Sequence, residues 1–225
     1  MPRQEYQDRL DDLQTEVVEY ANLVLERYRE SLVLFETGDS DQADAIIEGD
    51  HEINDWYLEL ESTCIELIAL QQPVASDLRL ITASFKIITD LERIADLATN
   101  LARYARETAG QPSPSVPIED LGSRAETMVA NAMNAYQTAD ADQCWDIAAM
   151  DDELDAACEV AAEEIVRDLL TQEGWPENDH RIAAHIDSIS RALVIIRDIE
   201  RVGDHAVNIS ARTLWMIEND DTLIY

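Results

Sequence analysis

Two stretches of this sequence place carboxylates where they could hold a cation. Asp90-Leu91-Glu92-Arg93-Ile94-Ala95-Asp96-Leu97-Ala98-Thr99-Asn100 and Asp198-Ile199-Glu200-Arg201-Val202-Gly203-Asp204-His205-Ala206-Val207-Asn208 share the pattern D-x-E-R-x-x-D-x-A-x-N, with six of eleven positions identical. On a helix, Glu92, Asp96 and Asn100 fall on one line at i, i+4 and i+8, as do Glu200, Asp204 and Asn208. Like charges at this spacing repel by a few tenths of a kcal/mol, so each pair calls for a compensating cation. Arg93 and Arg201 are candidates, and so is a metal. About a fifth of the residues are acidic, so roughly ten acid-x-x-x-acid pairs arise by chance. Repetition inside a conserved frame, beside an apolar stripe, distinguishes these two from a solvated face. A second repeated set is Asp50 and Asn54, answered by Asp151 and Asp155, where helix-start or packing roles compete with ligation.

Carboxylate oxygens suit hard or borderline cations, so iron, zinc, magnesium and manganese all remain open as metal ions. The candidate metal residues are Glu92, Asp96, Glu200, Asp204, Asp151, Asp155 and Asp50. The second-half group has four acids. The first has an amide at Asn54, which predicts weaker binding there. His205 follows Asp204, but Leu97 stands in its place in the first copy, which favours a surface or packing role.

The elements that carry these residues are helices. Ala83, Ile87, Leu91, Ile94, Ala98, Leu101 and Ala105 recur at three- and four-residue spacing, as do Ile195, Ile199, Val202, Ala206 and Ile209, giving core-facing stripes. Six Gly, six Pro and few aromatics accompany abundant helix formers. Breaks at 37–40, 71–73, 110–114, 139–140 and 174–176 delimit six helical segments, the first three near 4–36, 40–70 and 74–107. The stretch 110–117 is the most linker-like and divides the chain into halves of 1–110 and 111–225.

The halves are duplicates. A shift of 101 places Phe35-Glu36-Thr37-Gly38-Asp39-Ser40-Asp41-Gln42 on Tyr136-Gln137-Thr138-Ala139-Asp140-Ala141-Asp142-Gln143, and Asp50 on Asp151. A shift of 108 superposes the acidic motifs. The registers differ by seven residues, about two helical turns, so the faces are preserved. The expected fold is all-α: two tandem three-helix bundles, related by an approximate two-fold that puts Leu91 and Ile199 in equivalent buried positions.

The formal net charge is −32, from 48 acidic and 16 basic residues with one lysine, Lys86. Acids spread along the whole chain suit a salt-rich, halophilic cytoplasm, which screens their repulsion. The charge disfavours nucleic acid and anionic membrane as partners. No stretch approaches the roughly 20 apolar residues of a membrane span, so direct membrane insertion is not expected and the chain reads as cytoplasmic. Cys64, Cys144 and Cys158 read as buried free thiols. Neither nucleotide-loop glycines nor a nucleophile elbow are present, leaving nucleotide hydrolysis and acyl transfer without sequence support.

Together these residues resemble the PhoU family of phosphate-uptake regulators. The resemblance covers nearly the whole chain and is most specific at Gln71-Gln72-Pro73-Val74-Ala75-Ser76-Asp77-Leu78-Arg79, at 86–96 and at 198–206. It implies two three-helix repeats with metal clusters at E(D)-x-x-x-D motifs, which map to Glu92 and Asp96, to Glu200 and Asp204, and to Asp151 and Asp155. Asn54 departs from the motif by an amide, and Ala95 replaces the usual Gly. The resemblance implies a negative regulator of phosphate uptake and phosphate-starvation signalling. Its partners would be the ATPase of a phosphate ABC transporter and a signalling protein. A homodimer is compatible with the reading. The competing readings are a di-iron carboxylate oxidoreductase, built on Glu48 with His51 or Glu177 with His180, and a purely structural helical repeat. Neither Glu-His pair recurs in the other half.

Overall fold

Alanine, leucine and isoleucine at helical spacing fold this chain into seven helices in the computed structural model, which describes residues 3–70, 73–109, 116–171 and 179–224, the side chains of 70 and 179–181 apart. They are α1 (Arg3–Thr37), α2 (Ser40–Glu48), α3 (Asp50–Leu70), α4 (Ala75–Thr108), α5 (Ile118–Thr138), α6 (Ala141–Thr171) and α7 (Asp179–Glu218). No strand occurs among the described residues. The six-segment plan is kept, with one refinement. The second segment is interrupted for a single residue at Gly49, whose counterpart, Met150, continues α6 without a break. Glycine weakens a helix interior by about 1 kcal/mol relative to alanine, and Gly49 lies against the Arg27 guanidinium, 3.3 Å from where a Cβ would stand.

The connections repeat as the duplication requires. Asp39 caps α2, its Oδ1 accepting from the backbone N–H of Asp41 and Gln42 at 3.0 and 3.1 Å. Asp140 does the same before α6, accepting from Gln143 N–H at 3.1 Å. The preceding Gly38 and Ala139 both take left-handed backbone, at φ 63° and 54°, so the turn is retained although the second copy has lost its glycine. Of the expected breaks, 110–114 and 174–176 lie outside the described residues, as do the first two residues of 71–73.

In the first half α4 packs against α1, α2 and α3; in the second, α7 packs against α5 and α6. The halves meet where α4 crosses α7 and α1 crosses α5. Both predicted stripes are buried along their whole length, and Leu91 and Ile199 are each fully buried. The core is continuous across the two bundles. Gly122 permits the α1–α5 crossing: a Cβ there would come within 2.6 Å of Leu32. All three cysteines are buried and free.

With three acids for every base, most carboxylates have no cation available, and the described ion pairs, such as those of Arg29 with Glu126 and Arg106 with Asp44, are largely exposed. Exposed pairs contribute little. The melting temperature should therefore climb with KCl from dilute buffer to molar salt as repulsion is screened. A circular-dichroism melt series tests this, and an unchanged melting temperature would contradict it.

Candidate metal centre

Asp151 is the pivot of the second-half site. It projects from α6 toward α7, and its close approach depends on Gly203. A Cβ on Gly203 would stand 3.2 Å from Asp151 Oδ1 and 2.6 Å from Leu154. Glu200 and Asp204 lie on α7 one turn apart, and Asp155 lies one turn along α6 from Asp151. Burial, followed by the charges of Asp155, Asp204, Asp152 and Glu200, pushes the Asp151 carboxyl up to about 7 from an ordinary 3.8. Glu200 is raised by burial and then by Asp155 and Asp204, and Asp155 by burial and then by Asp204 and Asp152. The four acids therefore sense one another across two helices. Asp151 Oδ1 is buried with no hydrogen-bond partner.

An orphaned buried carboxylate oxygen amid three other carboxylates suits a cation. The donor set is oxygen, as hard and borderline ions prefer. A groove of about 550 Å³, lined in part by Asp155, Glu200 and Arg197, opens this site to solvent. Cys158 lines the same groove, its thiol pushed up to about 12 by burial and then by Glu200 and Asp155. As the side chains stand, no three His, Cys, Asp or Glu among the described residues converge on one point. The acids form two facing rows rather than a closed cage.

The first-half site is built differently on the same frame. Glu92 is raised by burial, then by Asp96, and is tempered by Arg93; Asp96 is raised by burial, then by Asp50. Asp50 has both oxygens satisfied: Asn54 Nδ2 donates to Oδ2 at 3.2 Å and Thr99 Oγ1 donates to Oδ1 at 3.1 Å. Tyr20 is fully buried beside these acids, its phenol raised by burial and then by Glu92.

Several residues take roles other than those their spacing suggested. The amides that extend each acid line belong elsewhere: Asn100 Oδ1 accepts from Arg103 at 2.8 Å, and Asn208 Nδ2 donates to Asp90 Oδ1 at 3.4 Å. Arg201 acts on Asp198 rather than on Glu200. His205 is a packing residue, as its absence from the first copy suggested, and it is buried with Nδ1 2.9 Å from Asp90 Oδ1. That contact ties α7 to α4 across the halves. Asp90 and Asp198, the repeated first acids of the motif, are both buried. Glu48 and His51 are exposed on either side of Gly49 and Asp50; Glu177 lies outside the described residues, as does the side chain of His180.

The architecture has close counterparts among known proteins. The sequence model of the PhoU domain matches twice, over residues 17–105 and 118–213, once in each half. The chain belongs to the PhoU family. A PhoU homologue from Pseudomonas putida, a phosphate-specific transport system accessory protein, is 31% identical over 224 residues, covering 97% of this chain and 82% of that protein. PhoU of Escherichia coli is 32% identical, covering 94% of this chain and 85% of its own length. Among solved structures, PhoU from Pseudomonas aeruginosa superposes with a TM-score of 0.86 at 28% identity, covering 96% of this chain and all of that one. The phosphate transport system regulatory protein PhoU from Streptococcus pneumoniae gives 0.84 at 26% identity, with 96% and 98% covered. These PhoU relatives are named as accessory and regulatory proteins of phosphate transport, not as enzymes.

Proposed function

We propose that this protein is a metal-binding helical adaptor that restrains a phosphate ABC transporter from its cytoplasmic side and thereby represses the phosphate-starvation response. The observation that carries the reading is the double PhoU-domain match, one in each bundle, with each half bearing the acidic motif on its last helix, α4 or α7. No helix among the described residues is long and apolar enough to cross a membrane, so action on a transporter takes the form of docking to it. In the second half, Asp151, Asp155, Glu200 and Asp204 would hold the metal. A bound cation would supply positive charge to an otherwise repulsive surface and a route for phosphate recognition by a chain of net charge −32. The same charge suits a salt-rich cytoplasm.

A brake must be in contact with what it stops. Deleting the protein from its host should leave phosphate uptake running in phosphate-rich medium, with phosphate accumulating well above the parent strain. Affinity capture of the intact protein should recover the transporter ATPase. Normal uptake control together with no recovered transporter subunit would remove the regulatory reading.

A further inference from the structure

Duplication lets each half serve as the control for the other, and at three positions around the acid rows the halves differ in the same sense. Where the first half has Tyr20, Asn54 and Thr99, the second has Leu121, Asp155 and Val207 at the equivalent places. Each first-half residue is a neutral hydrogen-bond donor, and none of the second-half residues is. Two of the donors reach the same carboxylate, Asn54 to one oxygen of Asp50 and Thr99 to the other. The third, the buried Tyr20 phenol, senses the charges of Glu92, Asp50 and Asp96 and has no hydrogen-bond partner as it stands. In the second half, Asp151 occupies the place of Asp50 with one oxygen buried and unpartnered. The backbone has diverged to match. Gly203 lets Asp151 approach α7, and Ala95 fills the corresponding space in the first half.

A carboxylate removed from water needs either donors or a cation, and an unpaired buried charge costs more than either arrangement. We propose that the two acidic sites have diverged: the second-half site depends on a metal cation, whereas the first-half site is a hydrogen-bonded cluster that persists without one. The first-half cluster then acts as a permanent fastening between α3 and α4. The second-half pairing of α6 with α7 responds to metal supply. The proposal rests on the metal reading above for the second half, and the first half's independence is its own content.

The test uses the full chain stripped with a chelator and titrated with Mn²⁺ in molar KCl, which suppresses diffuse association with the acidic surface. Loss of the free aqueous Mn²⁺ resonance reports binding. Glu200→Gln with Asp204→Asn should weaken tight Mn²⁺ binding by about 100-fold or more. Glu92→Gln with Asp96→Asn should leave affinity and stoichiometry within about twofold of the parent. Asn54→Asp with Thr99→Val, which gives the first half the second half's residues, should add bound Mn²⁺. In the stripped protein, Thr99→Val alone should lower the melting temperature, because an oxygen of Asp50 loses its donor with no cation to replace it. Equal losses from the two acid-to-amide pairs would overturn the divergence and leave the metal reading standing. So would unchanged Mn²⁺ in the Asn54→Asp, Thr99→Val protein. A parent that binds no Mn²⁺ at all would overturn both.

Discussion

Raising the pH of metal-free protein from 5 to 8 should lower its melting temperature, and Asp151→Asn should remove a measurable part of that fall. The Asp151 carboxyl sits at about 7 in the folded protein against an ordinary 3.8. Between these values the folded state keeps a proton that the unfolded chain has released. The associated stability is fully present below about pH 4 and is lost as pH rises through 7. The side chain is partly exposed, so screening reduces the effect to on the order of 1–2 kcal/mol. For a chain of this length that corresponds to about 2–8 °C. Asparagine keeps the shape and carries no charge at either pH, so the variant should melt at a less pH-dependent temperature than the parent. Glu200 and Asp155 are raised in the same direction and should leave a smaller slope behind. Metal should reverse the loss at pH 8, with affinity that grows toward neutrality because binding must displace the Asp151 proton. Identical pH slopes for parent and variant would show that Asp151 is not the strained group.

The apolar stripes made the fold legible. Ile87, Leu91, Ile94, Ala98 and their counterparts announced two equivalent core helices, and the structure buries them all. The boundaries at 37–40 and 139–140 were marked by turn residues, and the structure adds that Asp39 and Asp140 cap the helices that follow. The division of α2 from α3 was not visible in the sequence, because a lone glycine such as Gly49 is often carried inside a helix without interrupting it. In the site, one helical line placed Glu92 with Asp96 and Glu200 with Asp204, since i, i+4 geometry is a property of a single helix. What each carboxylate meets from the neighbouring helix is not. Thr99 reaching Asp50 across α4 and α3, and His205 reaching Asp90 between the halves, depend on how helices cross, and sequence spacing holds no record of that. Arg201, adjacent to Glu200 in sequence, acts on Asp198 rather than on Glu200, whereas the equally adjacent Arg93 does temper Glu92. The amide at Asn54 was legible as a departure from the motif. Its consequence, a donor turned onto Asp50, required the structure.

The central claim is that the second-half carboxylates hold metal in the protein as it is made. Replacing Glu200 by Gln and Asp204 by Asn removes two of four charges while preserving side-chain size, and the lost ligands leave Asp151 and Asp155 with too few oxygens to retain an ion. Loss of even one supporting partner of a metal ligand typically costs 10–100-fold in affinity, so the double change should lower affinity by about 100-fold or more. Neither substitution touches the buried stripe of Ile195, Ile199 and Val202, so helicity should survive. The decisive measurement is elemental analysis of parent and Glu200→Gln, Asp204→Asn protein, both purified without chelators or affinity metals. The account predicts bound divalent or trivalent metal in the parent and its loss from the variant at unchanged far-ultraviolet circular dichroism; equal metal content in the two would contradict it.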